Sequence, residues 1–290
     1  MTTRILWTAL LMLSSVSACK PTEHMMNRQN IDWQSLEFTC VKAQTPPLDK
    51  EADEWFLTAR ILQKKDEYRH AEEIARLYKI AAERGHYKAI RNLAGLYVDG
   101  VGVEQDEREA VRLTERLIEM GVSDGYYNMG VFLQDGTGVK QDRKAGLTYF
   151  RKAADMGNPH AQLVIGKKLM AIDDQELRPK VLPIAEAMLH CALSQDIAAA
   201  GYELGGYYAI NKKDFANSLK AYQAAAKLGH AMSFYTLKEV FRNGKYGQDK
   251  DEQRAACYAR LEGEADEDNT KKFPTLDRIC PLPPKPMPKA

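Results

Sequence analysis

Two segments of this chain align without a gap, Asn92 to Val103 (NLAGLYVDGVGV) and Asn128 to Val139 (NMGVFLQDGTGV), 36 positions apart. Repetition at such a period marks stacked helical hairpins, each of which buries its apolar stripe only against its neighbours. The same spacing relates Gly85, Gly121 and Gly157, each closing an Ala- and charge-rich run (YKIAAERG, LIEMG, FRKAADMG), and an approximate copy ends at Gly229 (AYQAAAKLG). The predicted fold class is therefore all-α, an α-solenoid of about 11–12 helices, which offers a long surface in place of an enclosed pocket.

Hydrophobic periodicity starts at residues 49–63, where Trp55, Leu57 or Ala59, and Ile61 or Leu62 are spaced to fill one face. A second helix is expected over about 67–84, with Ala71, Ile74, Ala75, Leu77, Tyr78 and Ala81 as its stripe. Five hairpins follow, each an A helix and a B helix: 87–99 with 107–120, 124–135 with 142–156, 159–171 with 181–194, 198–210 with 214–228, and 231–243 with 250–264. Glycine in GVGV and GTGV can end the A helix in the left-handed conformation, and Asp106 and Asp142 suit the cap of the B helix. Small residues at Ala81, Ala82, Ala153, Ala154, Ala224 and Ala225 let helices approach closely. Residues 172–200 break the pattern, with IDDQELRPKVLPIAEAM in place of the glycine turn, and Pro179 and Pro183 are expected to interrupt the helix of the third hairpin.

Before the repeats, Arg4 and the apolar run ILWTALLML lead to Val16-Ser17-Ala18 and Cys19, which reads as an export signal. Small residues followed at once by cysteine resemble the lipobox of bacterial lipoproteins, and that resemblance implies cleavage before Cys19 with diacylglyceryl attached to its thiol. Lys20, where inner-membrane lipoproteins carry Asp, favours an outer-membrane anchor facing the periplasm. The domains so defined are a signal peptide over 1–18, a lipid-anchored tether over 19–48, the solenoid over 49–264, and a Pro-rich tail over 265–290 that caps the last repeat.

Lys plus Arg is 41 and Asp plus Glu 40, and losing Arg4 with the leader leaves 40 of each. Nucleic acid, whose binding depends on phosphate neutralisation, is not an expected partner. Four cysteines remain once Cys19 carries lipid, an even number that permits disulfides in an oxidising compartment. Pairing Cys257 with Cys280 would pin the tail across the last repeat; Cys191, inside the helical run AEAMLHCALS, is also suited to be a buried free thiol.

The order of glycine, alanine and aromatic positions over about 66–262 resembles Sel1-like repeats, relatives of the tetratricopeptide family; it recurs as HAQLVIGKKL, DRKAGLTYFRKAADMG and RNGKYGQDKDEQRAACYARL. The flanks FTCVKAQTPPLDKEADEWF and FPTLDRICPLPPKP, with EIARLYKIAAERGHYKAIRNL and ACYARL, look like a subgroup of periplasmic Sel1-like lipoproteins. That subgroup includes immunity proteins encoded beside type VI secretion lipase effectors, especially phospholipase D-type ones. The resemblance implies a cognate secreted lipase as the protein partner, inhibited by steric capture. The alternative within the same fold is an envelope scaffold or regulator.

Catalytic motifs are missing. The one Ser-x-x-Lys, Ser17 to Lys20, spans the cleavage site, and there is no HExxH, Gly-x-Ser-x-Gly, Walker A or paired CxxC. No enzyme activity, cofactor or metal is expected; His86, His160 and His230 recur near hairpin turns, far apart in sequence. What remains is a column on the A helices, Arg91, Tyr127, Leu163, Tyr202 and Tyr235, whose Tyr and Arg members are of types that dominate interface hot spots, although the same positions also serve as repeat packing. Tyr127, Tyr202 and Tyr235 are the expected partner anchors and Arg91 an expected charged contact, with Lys88, Asp124, Lys167 and Lys168 as rim charges. The tail LPPKPMPKA suits either a polyproline ligand or a cap.

Overall fold

The computed structural model describes residues 37–288; the leader, Cys19, Lys20 and the tether up to residue 36 lie outside the described residues. The described chain is helical. In order it forms α1 (Lys50–Asp66), α2 (Ala71–Glu83), α3 (Tyr87–Asp99), α4 (Glu107–Glu119), α5 (Ser123–Asp135), α6 (Arg143–Asp155) and α7 (Pro159–Met170). Then come α8 (Arg178–Ser194), α9 (Ala198–Tyr207), a π turn (Tyr208–Lys212), α10 (Phe215–Lys227), α11 (Ala231–Asn243), α12 (Glu252–Glu267) and the short α13 (Leu276–Ile279). From α1 to α12 each helix packs on its successor, the arrangement of an α-solenoid.

The caps follow from the sequence. Side chains of Asp49, Asp106, Asp142, Asn158, Asp214 and Asp251 accept backbone N–H groups in the first turns of α1, α4, α6, α7, α10 and α12. Gly100, Gly136 and Gly244 end α3, α5 and α11 at positive φ. The second glycine of each Gly-x-Gly-Val turn has a separate reason to lack a side chain. A Cβ on Gly102 would overlap the carbonyl of Ala71 at the start of α2, and one on Gly138 would lie 2.5 Å from the carbonyl oxygen of Glu107 at the start of α4. Both have positive φ as well. The turn of one hairpin thus presses on the B helix of the hairpin before it, and Gly102→Ala is expected to cost about 2–3 kcal/mol through overpacking, read as a lowered urea midpoint.

Ala81, Ala153, Ala154 and Ala225 are fully buried between helices, whereas Ala224 is only half-buried and Ala226 takes the interior position. In α1 the alternatives resolve to Ala52, Phe56 and Ala59 as the buried set, with Leu62 packed partly against them; Leu57 and Ile61 face outward. The third hairpin departs from expectation less than its prolines imply. Pro179 sits in the first turn of α8, where its N–H would have no helical partner, and Pro183 lies inside the helix and forgoes one bond to the preceding turn, yet the helix runs through both. Asp174 turns the chain beforehand by accepting from the N–H groups of Glu176 and Leu177 at 2.9 and 2.8 Å.

The segment expected as the end of a tether is bound to the stack. The Glu37 carbonyl accepts from Arg151 Nη2 at 2.7 Å, and Phe38 packs on the core of α6 to α8. Backbone 41–43 lies so close to Gly157 that a Cβ there would be 2.5 Å from the Ala43 nitrogen. Cys40 is disulfide-bonded to Cys191, 151 residues away, so Cys191 is not a free thiol. At the other end Cys257 is bonded to Cys280. The Cys280 carbonyl accepts from Tyr258 Oη at 2.9 Å and Gln223 Nε2 at 3.0 Å, Arg254 Nε donates to the Pro281 carbonyl at 2.8 Å, and Phe273 stacks edge-on against Phe234. The tail covers the last hairpin.

Candidate functional site

Counting five residues past the N-cap of α1, α3, α5, α7, α9 and α11 gives Glu54, Arg91, Tyr127, Leu163, Tyr202 and Tyr235, so the helical register places the expected column on one side of the stack. Its members differ in what they touch. Tyr127 lies between Phe150 of its own hairpin and His160 of the next, with ring centroids 5.4 and 5.8 Å away. Tyr202 lies likewise between Tyr222 and His230, at 5.6 and 4.9 Å. Both rings are half-buried, and burial pushes the Tyr127 hydroxyl pKa up. They join successive repeats while leaving one edge of each ring open.

The charged candidates are also linked across repeats. Arg91 Nη1 donates to Asp124 Oδ2 at 3.0 Å, and the other Asp124 oxygen accepts from Asn158 Nδ2 at 2.7 Å. Lys167 pairs with Glu203 at 2.7 Å. Arg91 and Lys167 remain 44% and 52% exposed, so solvent screens these pairs and a partner can still reach them. Lys88 is half-buried with Nζ 5.8 Å from the Tyr87 ring centroid, and Lys168 is exposed.

At the C-terminal end the column opens. Tyr235 is 44% exposed with Lys238 Nζ 4.4 Å from its ring centroid, and Lys238 in turn pairs with Glu262 at 2.7 Å. Met232, one turn earlier on the same face, is 50% exposed. The sequence reading missed Met232, although its three-residue spacing from Tyr235 was the available signal. It also missed the π turn after α9, where Tyr208 Oη donates to Glu186 Oε1 at 2.6 Å, lies 2.9 Å from His190 Nε2, and leaves Ile210 exposed. Burial, followed by Glu186, drives the Tyr208 pKa upward, so this hydroxyl is a donor and no base.

The recurring histidines are helix-start residues. His86 Nδ1 accepts from the Ala89 N–H at 3.1 Å while Nε2 meets Asp53 Oδ1 at 3.1 Å; His230 Nδ1 lies 3.1 Å from Ser233 Oγ. Among the described residues no three His, Cys, Asp or Glu side chains are grouped to hold a metal. Burial holds the His230 imidazole below its ordinary pKa, against an opposing pull from Glu203. The fold therefore favours the neutral ring, a contribution present above about pH 6.5 and lost as pH falls through the folded value. The urea midpoint should fall between neutral pH and mildly acidic pH, and His230→Asn should flatten that fall; an unchanged slope would remove His230 from the account.

Comparison with known proteins fits this arrangement. Residues 88–122 and 123–158 match the Sel1 repeat family. The crystal structure of immunity protein Pa5087 from Pseudomonas aeruginosa is similar with a TM-score of 0.66 and 35% identity, over 86% of this chain and 96% of that one. The chain belongs to the Sel1-like repeat immunity-protein family. A second member, immunity protein PA5088 from the same organism, aligns with a TM-score of 0.71 and 31% identity over 86% of this chain and 95% of that protein. The exopolysaccharide production negative regulator of Rhizobium leguminosarum bv. viciae shares 41% identity over 54 residues, so the match spans 19% of this chain and 20% of that relative's length. Likeness to the Sel1-like immunity proteins, by contrast, extends over most of this chain and nearly the whole of theirs.

Proposed function

We propose that this Sel1-like protein neutralises a toxic secreted effector by steric capture, and that the effector is a phospholipase D-type lipase delivered by type VI secretion. The observation that carries the reading is the likeness to Pa5087 along 96% of that immunity protein's chain. The A-helix side supports it chemically. It presents aromatic and arginine side chains held by neighbouring repeats, so little ordering cost opposes binding. The protein would work in the periplasm, held by diacylglyceryl at Cys19 to the inner leaflet of the outer membrane, because phospholipid is the target to be protected.

Coexpression with a phospholipase D-type effector encoded beside this protein's gene, directed to the periplasm, tests the reading through survival, and the absence of any such neighbouring gene would itself favour a scaffold. Wild-type protein should restore growth, and the purified pair should co-elute. Restored growth without a complex would refute steric capture. No protection against any neighbouring envelope-targeting effector would turn the assignment to a scaffold or regulator. Fatty-acid labelling that persists in Cys19→Ala would refute the anchor.

A further inference from the structure

The two ends of the stack are finished differently. At the C-terminal end the tail and its disulfide close over the last hairpin, with Leu276 and Cys280 fully buried. At the other end α1 packs on α2, and among the described residues no helix lies on its outer side. Its outward residues are Leu57, Thr58, Ile61, Lys64 and Lys65, continued by Tyr68 in the turn that follows. This spacing keeps them on one stripe. Leu57 is 51%, Ile61 67% and Tyr68 81% exposed, three of the eight large hydrophobic side chains exposed in the described chain. A concentration of this kind at one helix calls for something to cover it.

Charge narrows what that is. Lys64, Lys65 and Arg69 are all exposed at the C-terminal half of the stripe. The acids of α1 and its C-cap are largely turned to other duties: Glu51 pairs with Arg84 at 2.8 Å, Asp53 with His86, Asp66 accepts from the Arg69 N–H, and Glu67, the C-cap, accepts from Gln63. Glu54 alone stands at the stripe's N-terminal edge. Cores of protein interfaces are depleted in lysine, yet here two lysines lie between Ile61 and Tyr68. Apolar side chains interleaved with cations and closed by a tyrosine suit the boundary of an anionic bilayer, where aliphatic groups enter the acyl edge and ammonium groups meet phosphate.

We propose that the outer stripe of α1 docks on an anionic phospholipid surface, adding to the lipid at Cys19 a second contact that orients the solenoid. The envelope location rests on the function proposed above, but the contact is tested without the effector. The probe is the mature chain from residue 19 carrying Cys19→Ala, mixed with vesicles of phosphatidylethanolamine and phosphatidylglycerol or of phosphatidylcholine alone. It should sediment with the anionic vesicles and bind the neutral ones at least about tenfold more weakly, with attachment reduced by salt. Lys64→Glu with Lys65→Glu, and separately Leu57→Ser with Ile61→Ser, should each lose at least about tenfold in vesicle binding with unchanged helical circular dichroism. Met232→Ser with Tyr235→Ser should bind vesicles as wild type does. No vesicle binding by the wild type, or undiminished binding by the stripe variants, overturns the proposal. So does light scattering that reports a dimer dissolved by Leu57→Ser with Ile61→Ser, which would give the stripe to a second copy, or loss of effector binding in the same variant without vesicles. A protein that protects cells yet ignores vesicles sinks this contact alone; one that binds vesicles without protecting leaves it standing.

Discussion

Replacing Cys40 and Cys191 together by serine should lower the melting temperature by about 10–20 °C, the larger of the two disulfide effects. The bond closes a loop of 151 residues, where the chain-entropy model gives about 5 kcal/mol, against about 3 for the 23-residue loop of Cys257 and Cys280. At about 2–4 °C per kcal/mol for a chain of this size, the stated shift follows. The loss reaches beyond entropy, because the bond also holds the strap of residues 37–48 on the stack. Without it the Glu37 carbonyl, the Phe38 contact and the close passage over Gly157 must be held by local packing alone. Scanning calorimetry under non-reducing conditions decides the point, and a shift under about 3 °C would mean that the strap's contacts persist without the bond.

What the sequence made legible was what repeats. The 36-residue period, the capping aspartates and the glycine turns placed the helices of the stack, because each hairpin answers the same local packing problem against its neighbour. The Cys40 to Cys191 contact was not legible, since it joins a non-repeating segment to a helix four hairpins later and nothing local marks it. The choice between Leu57 and Ala59 stayed open for the opposite reason. Helical periodicity assigns an inward face to α1 on the assumption of neighbours on both sides, and an end helix has them on one. The π turn replaced the glycine turn of the fourth hairpin, where YYAINKKDF supplies no glycine and Lys213 takes the left-handed conformation instead. Of the A-helix column, sequence register placed every member on one side but could not separate Tyr127 and Tyr202, clasped between repeats, from Tyr235, which stands open.

That separation fixes the second large effect. Met232→Ala with Tyr235→Ala should weaken binding of the effector by about 10²–10³-fold, the loss of the most exposed aromatic anchor and its neighbour, while leaving the melting temperature within about 2 °C of wild type. Both side chains are about half exposed and neither fills the core, so their truncation opens no cavity. Tyr127→Ala and Tyr202→Ala must behave differently. Each removes a ring packed at a tilt against the next hairpin's histidine, so each should lower the melting temperature as well as the affinity. Arg91→Ala should do neither strongly in isolation, because its exposed pair with Asp124 contributes little to stability and a rim charge acts mainly on the association rate. Isothermal titration with the purified effector, run beside thermal unfolding of each variant, separates the cases. Undiminished affinity in the Met232 and Tyr235 double variant would move the interface away from the open end of the column, to the Gly-x-Gly-Val turns or the exposed π turn around Ile210.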